Sequence, residues 1–328
     1  MRNIGVIGYG AVGRGTASLL ANRGDAVRIV QRKKPKVLPD GCTFHAADST
    51  DREATIRACA GVDAVVCCLG FPYDSVLWKR VWPQTIANLI DGCSTSGARL
   101  VFADNLYMYG PQTSPLTEET PLTNYGRKPA LRAEITKLWK SAHDTGRLRA
   151  VAVRASDFYG PDVATSVISA FGIARLLAGK PALTPYSPEH PHDFTYVPDV
   201  ARALVSLVDA PDDAYGQAWH VPNAPTRTLR DVLTLAASLI GVPARISVLP
   251  PALVPIIGLF SKEVRETAEM RFQWDRPYRV DSSKFAARFW NDATPFESGL
   301  GETISFYRTR ITRVARSVET SAKESTIR

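Results

Sequence analysis

The sequence is poor in cysteine and has no long hydrophobic run. Its five cysteines are an odd number and form no CxxC pair, so the sequence predicts neither a disulfide framework nor a metal site. The longest apolar stretch, residues 248–260, contains three prolines and is too short to cross a bilayer. Met1-Arg2-Asn3 runs directly into an apolar strand-like segment, which is not typical of a signal peptide. We therefore expect a cytoplasmic protein with reduced thiols and no membrane partner.

The composition also lacks the marks of a disordered or nucleic-acid-binding chain. Hydrophobic residues make up 45% of the 328 residues and charged residues 22%, which is enough apolar surface to form a core. Part of the net charge of +8 comes from the basic segment 32–36, rather than from a stripe along one helix. This distribution favours a local anion site and a small-molecule substrate over a nucleic-acid partner.

Six short apolar segments alternate with helical patterns through the first half of the chain. The predicted strands are residues 3–7, 26–31, 42–45, 63–69, 99–103 and 150–154. The predicted helices are residues 12–23, 51–60, 82–96 and 129–145, each followed by a glycine. This alternation predicts an α/β fold with a Rossmann-type, doubly wound parallel sheet.

The alternation changes after residue 161 and indicates a second, smaller lobe. We expect a dinucleotide-binding domain at 1–165, with segment 192–225 returning to it. Residues 166–191 and 226–310 would then form a C-terminal substrate-binding lobe, and 311–328 a flexible tail. Several apolar and aromatic residues of this lobe suit the wall of a pocket for a small carbonyl compound, or equally a packed core. They are the stretch 249–257 and Met270, Phe272, Trp274 and Tyr278.

A glycine-rich loop is the strongest local signal. The sequence GYGAVG at 8–13 follows an apolar strand and opens a predicted helix. In that context Gly8 makes the tight turn, Gly10 lets the backbone approach a pyrophosphate, and Gly13 lets the helix pack on the strand. The helix N-terminus then offers its N–H groups to the anion. The loop predicts a dinucleotide site.

The end of the second predicted strand indicates which dinucleotide binds. An NAD site places an acidic residue there for the ribose hydroxyls, whereas this chain has Gln31 followed by Arg32 and Lys33. An arginine pairs with a 2′-phosphate through charge-assisted bonds. The sequence therefore favours NADP(H) over NAD(H), with Arg32 as the main contact and Arg14 or Lys33 assisting; the alternative is a solvated loop of charges.

Two further segments suit the same cofactor. Asp48 and Ser49 follow the third strand, where a carboxylate can reach the adenine, and Leu69 and Gly70 end the fourth strand, close to the adenosine ribose and pyrophosphate. The predicted cofactor-binding residues are Gly8, Gly10, Ala11, Val12, Gly13, Arg32, Lys33, Asp48, Ser49, Leu69, Gly70 and Lys128.

Several segments in the same order resemble the atypical and extended short-chain dehydrogenase/reductases, the NAD-dependent epimerase/dehydratase family. The resemblance covers about residues 1–310. Besides the glycine loop, the matching segments are ADSTD at 47–51, GVDAVV at 61–66, VFADNLYMYG at 101–110, VRASDFYGP at 153–161, DFTYVPDVA at 193–201, DSSKF at 281–285 and ETISFYR at 302–308.

The resemblance implies a Ser or Thr after the fifth strand and a Tyr-x-x-x-Lys pattern on the next helix. In that pattern the lysine lowers the pKa of the tyrosine, which exchanges a proton with the substrate, and binds the nicotinamide ribose. This sequence departs from it. Asn105 stands at the Ser/Thr position, and Lys128 follows Tyr125 by three positions rather than four. Because Pro129 disfavours the α region for the residue before it, we expect Tyr125 and Lys128 to lie in the loop that enters the helix.

Three roles stay open for Tyr125 and Lys128: a displaced proton-transfer pair, a Lys128 that only binds the cofactor ribose, or two ordinary loop residues. Tyr107 could face the nicotinamide or could pack as a core aromatic. Asp157 follows a buried strand, so its carboxylate needs a partner. The candidate catalytic residues are Asn105, Tyr107, Tyr125, Lys128 and Asp157.

The second lobe also departs from the family. Members that act on nucleotide sugars usually carry an arginine before the Asp-Phe pair, where it contacts a substrate phosphate. Here that position is His192, a weaker anion donor that could equally be a surface residue.

Two functions remain open. The first is an NADP(H)-dependent oxidoreductase or epimerase/dehydratase-like enzyme, with Tyr125 or Tyr107 as the acid and Lys128 and Asn105 positioning the reactants. The second is a non-catalytic NADP(H)-binding sensor or regulatory protein, suggested by the degraded Tyr-Lys pattern. The resemblance also implies a possible homodimer through the helices at 82–96 and 129–145.

Overall fold

The fold was obtained as a computed structural model, which describes residues 1–250 and 253–326. The strands in the described residues are β1 (Asn3–Ile7), β2 (Ala26–Gln31), β3 (Cys42–Ala46), β4 (Ala64–Cys67), β5 (Arg99–Asp104), β6 (Ala150–Arg154), β7 (Asp157–Tyr159), β8 (Ala182–Thr184), β9 (Pro191–His192), β10 (Phe194–Tyr196), β11 (Ala218–His220), β12 (Arg227–Thr228) and β13 (Ile246–Val248).

The α-helices of the same residues connect these strands and cover both faces of the main sheet. They are α1 (Ala11–Asn22), α2 (Arg52–Cys59), α3 (Ser75–Ser96), α4 (Lys128–Asp144), α5 (Ala174–Leu177), α6 (Val197–Asp209), α7 (Leu229–Ile240), α8 (Val254–Phe260), α9 (Lys262–Ala268), α10 (Ser283–Arg288) and α11 (Phe296–Thr326).

Seven strands form the central sheet, in the order β11-β6-β5-β4-β1-β2-β3, and every neighbouring pair in it is parallel. One face packs on α2, α3 and α4, and the other on α1, α6 and α10. This confirms the doubly wound parallel sheet. The direction of winding reverses between β1 and β4, and in such sheets ligands bind at the carboxyl ends of the strands beside that reversal.

The predicted strands match because they are buried on both faces, which gives continuous apolar runs; Val65 and Val66 of β4, for example, are fully buried. Helix α3 is the clearest difference, since it starts seven residues before the predicted helix at 82–96. Asp74 caps it by accepting hydrogen bonds from the backbone N–H groups of Val76 and Leu77. Pro83 lies inside the helix. Because proline is common in the first turn of a helix, the sequence pattern indicated a helix start near this residue.

The second half of the chain builds a smaller set of elements beside the sheet. Strand β11 joins the main sheet next to β6, while β10 pairs with β7, β12 with β9, and β13 with β8. A separate apolar core brings together residues of α5, α7 and α11. This core places β7, β9 and β10 next to the carboxyl end of β6, where the site described below is built.

Helix α11 continues into the C-terminal segment as far as Thr326, and the flexibility of residues 311–328 stays a prediction. Residues 327–328 of that tail, and Pro251 and Ala252 of the apolar stretch, lie outside the described residues. Across 1–250 and 253–326 no helix is both long and apolar enough to cross a membrane.

Candidate functional site

The glycine loop after β1 has space for a side chain at one of its three glycines and none at the other two. Gly8 has a φ of +93°, and a Cβ there would lie 2.8 Å from the carbonyl oxygen of Cys68. A Cβ at Gly13 would overlap the carbonyl oxygen of Gly8. A Cβ at Gly10 would meet no atom within 4 Å. Gly8 and Gly13 are therefore required by the chain itself, whereas Gly10 faces open space that suits a pyrophosphate.

Helix α1 begins directly at this open position. Gly10 is its N-cap and supplies no side-chain hydrogen bond, and the first turn carries no acidic residue. The backbone N–H groups at the start of the helix, from Ala11 onward, are thus not capped by a side chain and can bind an anion. The loop fits the diphosphate of a dinucleotide.

Arg32 and Lys33 are exposed and follow the end of β2. On the neighbouring strand, Asp48 follows β3, and its Oδ1 accepts hydrogen bonds from the backbone N–H of Thr50 at 3.0 Å and from its hydroxyl at 2.8 Å. These bonds, with a smaller contribution from the charge of Arg32, lower the pKa of Asp48. The guanidinium and the carboxylate thus lie near each other at the expected adenosine end of the site.

The other predicted cofactor segments lie on the same edge. Cys68 donates its N–H to the carbonyl of Ile7 at 2.8 Å, which extends β4 alongside β1. Leu69 and Gly70 follow, and a Cβ at Gly70 would meet no atom within 4 Å. The Ser49 carbonyl accepts a hydrogen bond from the Asn88 side chain at 3.0 Å. These segments leave space for a ligand beside the glycine loop, at the carboxyl ends of the strands.

Arg14, which was expected to assist Arg32 in binding a phosphate, has a partner within the chain, and its assisting role stays a prediction. Its guanidinium pairs with the carboxylate of Asp162. Asp162 has a φ of 61° and also accepts a hydrogen bond from Arg310 at 2.8 Å. Arg14 therefore ties α1 to the loop after β7 and to α11.

Lys128 is the first residue of α4, and not a residue of the preceding loop as expected, because Pro129 is accommodated in the first turn. Its side chain is 1% exposed. The ammonium donates to the backbone carbonyl of Glu266 at 2.8 Å and to the carboxylates of Glu266 and Glu269. Although burial opposes it, the bond from Lys128 lowers the pKa of Glu266.

Tyr125 lies in the loop before α4, and its ring is 42% exposed. The ring packs edge-on against Phe272 at a centroid distance of 5.5 Å. The Lys128 ammonium instead lies 4.6 Å from the ring centroid of Tyr73. Within the described residues, Tyr125 and Lys128 therefore contact different partners. Their catalytic roles stay predictions.

Asn105 and Tyr107 form one local unit after β5. The Asn105 side-chain oxygen accepts a hydrogen bond from the N–H of Tyr107 at 3.0 Å, so it orients the short turn at 107–109. Tyr73 and Tyr107 pack against the same apolar clusters, and each influences the pKa of the other. Burial and the charge of Asp157 raise the pKa of Tyr107, and the charge of Arg132 opposes them. Tyr107 therefore stays protonated at neutral pH.

Asp157 has the partner that its position requires. Its Oδ2 lies 2.8 Å from the Nε2 of His192, whose side chain is 2% exposed. His192 stacks on Trp274 at a centroid distance of 4.2 Å and on Phe194 at 4.6 Å. His192 is thus a buried partner of Asp157, and neither a surface residue nor a free anion donor.

A buried charge network supports the end of β5. Asp104 pairs with Arg132 of α4 and lies 3.5 Å from Arg154 of β6. Arg154 donates to the Tyr109 hydroxyl at 2.6 Å, and that hydroxyl lies 2.8 Å from the Nε2 of His220. Burial lowers the pKa of His220 to about 3. The network fixes β5, β6 and α4 beneath Asn105 and Tyr107.

Sequence reasoning missed Tyr73, the pairing of Asp157 with His192, and the partners of Lys128. Tyr73 lies just beyond Gly70, after the carboxyl end of β4, and that position was a signal that could have found it. The Lys128 partners left no such signal, because Glu266 is 138 residues away in the chain.

Known proteins share parts of this sequence. The sequence profile of the NAD dependent epimerase/dehydratase family matches residues 4–221. The chain is similar to dTDP-glucose 4,6-dehydratase of Salmonella typhimurium, with 24% identity over 220 residues, covering 66% of this chain and 56% of that protein. The corresponding protein of Neisseria gonorrhoeae is 26% identical over 203 residues, covering 60% and 55%. The chain thus spans about half the length of these curated relatives.

Solved structures show the same fold. UDP-glucose 4-epimerase from Thermotoga maritima, in a structure with UDP-glucose, superposes with a TM-score of 0.78 at 18% identity, covering 94% of this chain and 99% of that one. dTDP-glucose 4,6-dehydratase from Bacillus anthracis, in complex with NAD, gives 0.77 at 18% identity, covering 94% and 97%. Since the family profile spans well over half of the residues, the chain belongs to the NAD-dependent epimerase/dehydratase family.

Proposed function

We propose that the protein is an NADP(H)-dependent oxidoreductase or epimerase/dehydratase-like enzyme that acts on a small carbonyl or hydroxy compound. The observation that carries the proposal is the glycine loop, in which Gly8 and Gly13 are closed by their neighbours while Gly10 faces open space at an uncapped helix N-terminus. Backbone approach to a pyrophosphate requires that combination.

The preference for NADP(H) rests on Arg32. The Bacillus anthracis relative was solved with NAD, and NAD sites of this type carry an acidic residue at the end of the second strand. Here Gln31 ends β2 and exposed Arg32 and Lys33 follow it. A guanidinium there would pair with a 2′-phosphate.

Tyr107 is the proton donor that we favour, rather than Tyr125. Bound NADP(H) would supply or accept a hydride at the substrate carbon. Tyr107 would exchange a proton with the substrate oxygen, because its hydroxyl is protonated and the charge of Arg132 opposes the rise in its pKa. Asn105 orients the turn that carries Tyr107. Asp157 would also contact the substrate.

The alternative of a non-catalytic sensor is favoured by one observation, the engagement of the Lys128 ammonium by Glu266 and Glu269. Oxidation of NADPH in the presence of a panel of ketones and aldehydes separates the two functions. Turnover above the rate without substrate supports the enzyme. Micromolar binding of NADPH with no turnover across the panel would support the sensor.

Further properties belong to the same proposal. The lobe formed by residues 166–191 and 226–310 would bind the substrate, and 1–165 the cofactor. A homodimer would use the groove of about 630 Å³ between α3 and α4, which is lined by apolar residues including Ala87, Ile90 and Leu138. Cytoplasmic location would agree with the five cysteines, all of which are unpaired.

A further inference from the structure

The carboxylate of Asp157 borders an aromatic cluster, because its partner His192 stacks on Tyr278 at a centroid distance of 5.1 Å and on Trp274. Burial is the main cause of the raised pKa of Tyr73, Tyr107, Tyr186 and Tyr278, and the charge of Asp157 adds to it in each. The Asp157 side chain keeps 26% of its surface exposed. A partly exposed carboxylate can accept a hydrogen bond from a ligand.

His192 fixes this carboxylate in one orientation. Its Nε2 bonds to Oδ2 of Asp157 at 2.8 Å, while its Nδ1 is buried without a hydrogen-bond partner among the described residues. The imidazole is stacked on Trp274, which is itself stacked on Tyr186 at 5.2 Å. The bond and the aromatic stack together hold the imidazole in place, and the imidazole holds Oδ2 of Asp157.

The cations that border the tyrosines are already neutralised. Lys128, over the ring of Tyr73, contacts both Glu266 and Glu269, and Arg132 pairs with Asp104. A diphosphate brought to Asp157 would meet like charge that neither of these two paired cations is free to offset, in a partly desolvated setting where such repulsion is strong. A cationic ligand could not form a cation–π contact with the Tyr73 ring on the face that the Lys128 ammonium already covers.

We propose that Asp157, held by His192, is the residue that selects an uncharged, unphosphorylated hydroxy compound and excludes nucleoside diphosphate sugars. This inference rests on the proposed function, since it names the substrate class of the same site. A substrate hydroxyl would donate to the Oδ1 atom of Asp157, which the bond from His192 leaves open to a ligand.

The test is calorimetric titration of dTDP-glucose into the NADPH-saturated protein. The wild type is expected to show no binding up to about 1 mM, a limit that corresponds to a weak complex. Asp157→Asn keeps the shape and the acceptor for His192 but removes the charge, and should bind dTDP-glucose at least tenfold more tightly than the wild type. Asp157→Ala is a second variant should the first fail to fold. Asp144→Asn, at the far end of α4, is the matched control and should behave as the wild type.

A wild-type Kd below about 100 μM for dTDP-glucose would overturn the inference. An equal failure of the wild type and both Asp157 variants to bind would also overturn it, because the carboxylate would not be the discriminating group. NADPH binding is measured first, on the same samples, so a failure of the proposed cofactor site is seen separately.

Discussion

The Nζ of Lys128 lies 2.8 Å from the backbone carbonyl oxygen of Glu266, 138 residues further along the chain. Its contacts with the carboxylates of Glu266 and Glu269 join the start of α4 to α9. Glu266 also accepts a hydrogen bond from the N–H of Ser75 at the start of α3. The short helix α9 thus contacts the first turns of α3 and α4, two helices that pack on the main sheet.

This contact predicts that Lys128 acts on stability more than on cofactor binding. Lys128→Met should lower the free energy of unfolding by about 3 kcal/mol, because it leaves two carboxylates without their buried counter-charge. Lys79→Met, at an exposed position of α3, is the control and should change it by less than about 0.5 kcal/mol. Chemical denaturation and NADPH titration measure both quantities. Unchanged stability with a tenfold loss of NADPH affinity would instead assign Lys128 to the cofactor.

The glycine loop predicts two different outcomes for two substitutions. Gly10→Val should leave the fold intact, because the position has an extended φ of −77° and open space around it, yet should abolish NADPH binding. Gly13→Ala should reduce folded protein, since its Cβ would overlap the Gly8 carbonyl. Circular dichroism and calorimetry distinguish them. Normal NADPH binding by folded Gly10→Val would refute the loop assignment.

The two candidate proton donors can be ranked directly. Tyr107→Phe should lower kcat by about 10²-fold or more with unchanged NADPH affinity, because it removes the proton donor and not a binding group. Tyr125→Phe, at an exposed ring, should lower kcat by less than about threefold. Steady-state kinetics on a substrate from the carbonyl panel gives the ranking. The reverse ranking would restore the displaced Tyr-Lys pair.

His220 predicts how stability depends on pH. Burial and the charge of Arg154 lower its pKa from 6.5 to about 3. Below pH 6.5 the unfolded chain therefore binds a proton that the folded chain does not, so stability falls as the pH falls toward 3. One such proton gives a slope of up to about 1.4 kcal/mol per pH unit. Denaturation at pH 7, 6 and 5 should show this slope in the wild type and a shallower one in His220→Gln; equal slopes would contradict the prediction.

The sheet and the glycine loop could be predicted from sequence because both depend on neighbouring residues. A strand such as β4 is apolar along its whole length, and the spacing of Gly8, Gly10 and Gly13 follows from one turn between a strand and a helix. The start of α3 was missed because Pro83 resembles a helix start, while the cap that sets the true start is the single residue Asp74.

The catalytic end was harder to predict because its contacts join distant segments. Lys128 was expected in the loop before α4, with cofactor binding as one of three open roles; it is instead the first residue of α4, and its ammonium contacts Glu266 and Glu269. Tyr73 packs beside Tyr107, and Asp157 bonds to His192; each contact joins separate strand ends. Nothing in the local sequence around either tyrosine specifies its partner.

The most direct test of the proposed cofactor preference is calorimetric titration of NADPH and NADH into the wild type and Arg32→Ala. The wild type should bind NADPH more tightly than NADH. Arg32→Ala should lose about tenfold to a hundredfold in NADPH affinity, the value of one charge-assisted phosphate pair, with little change for NADH. Equal affinity of the wild type for the two cofactors, or an Arg32→Ala variant that binds NADPH as the wild type does, would contradict the account.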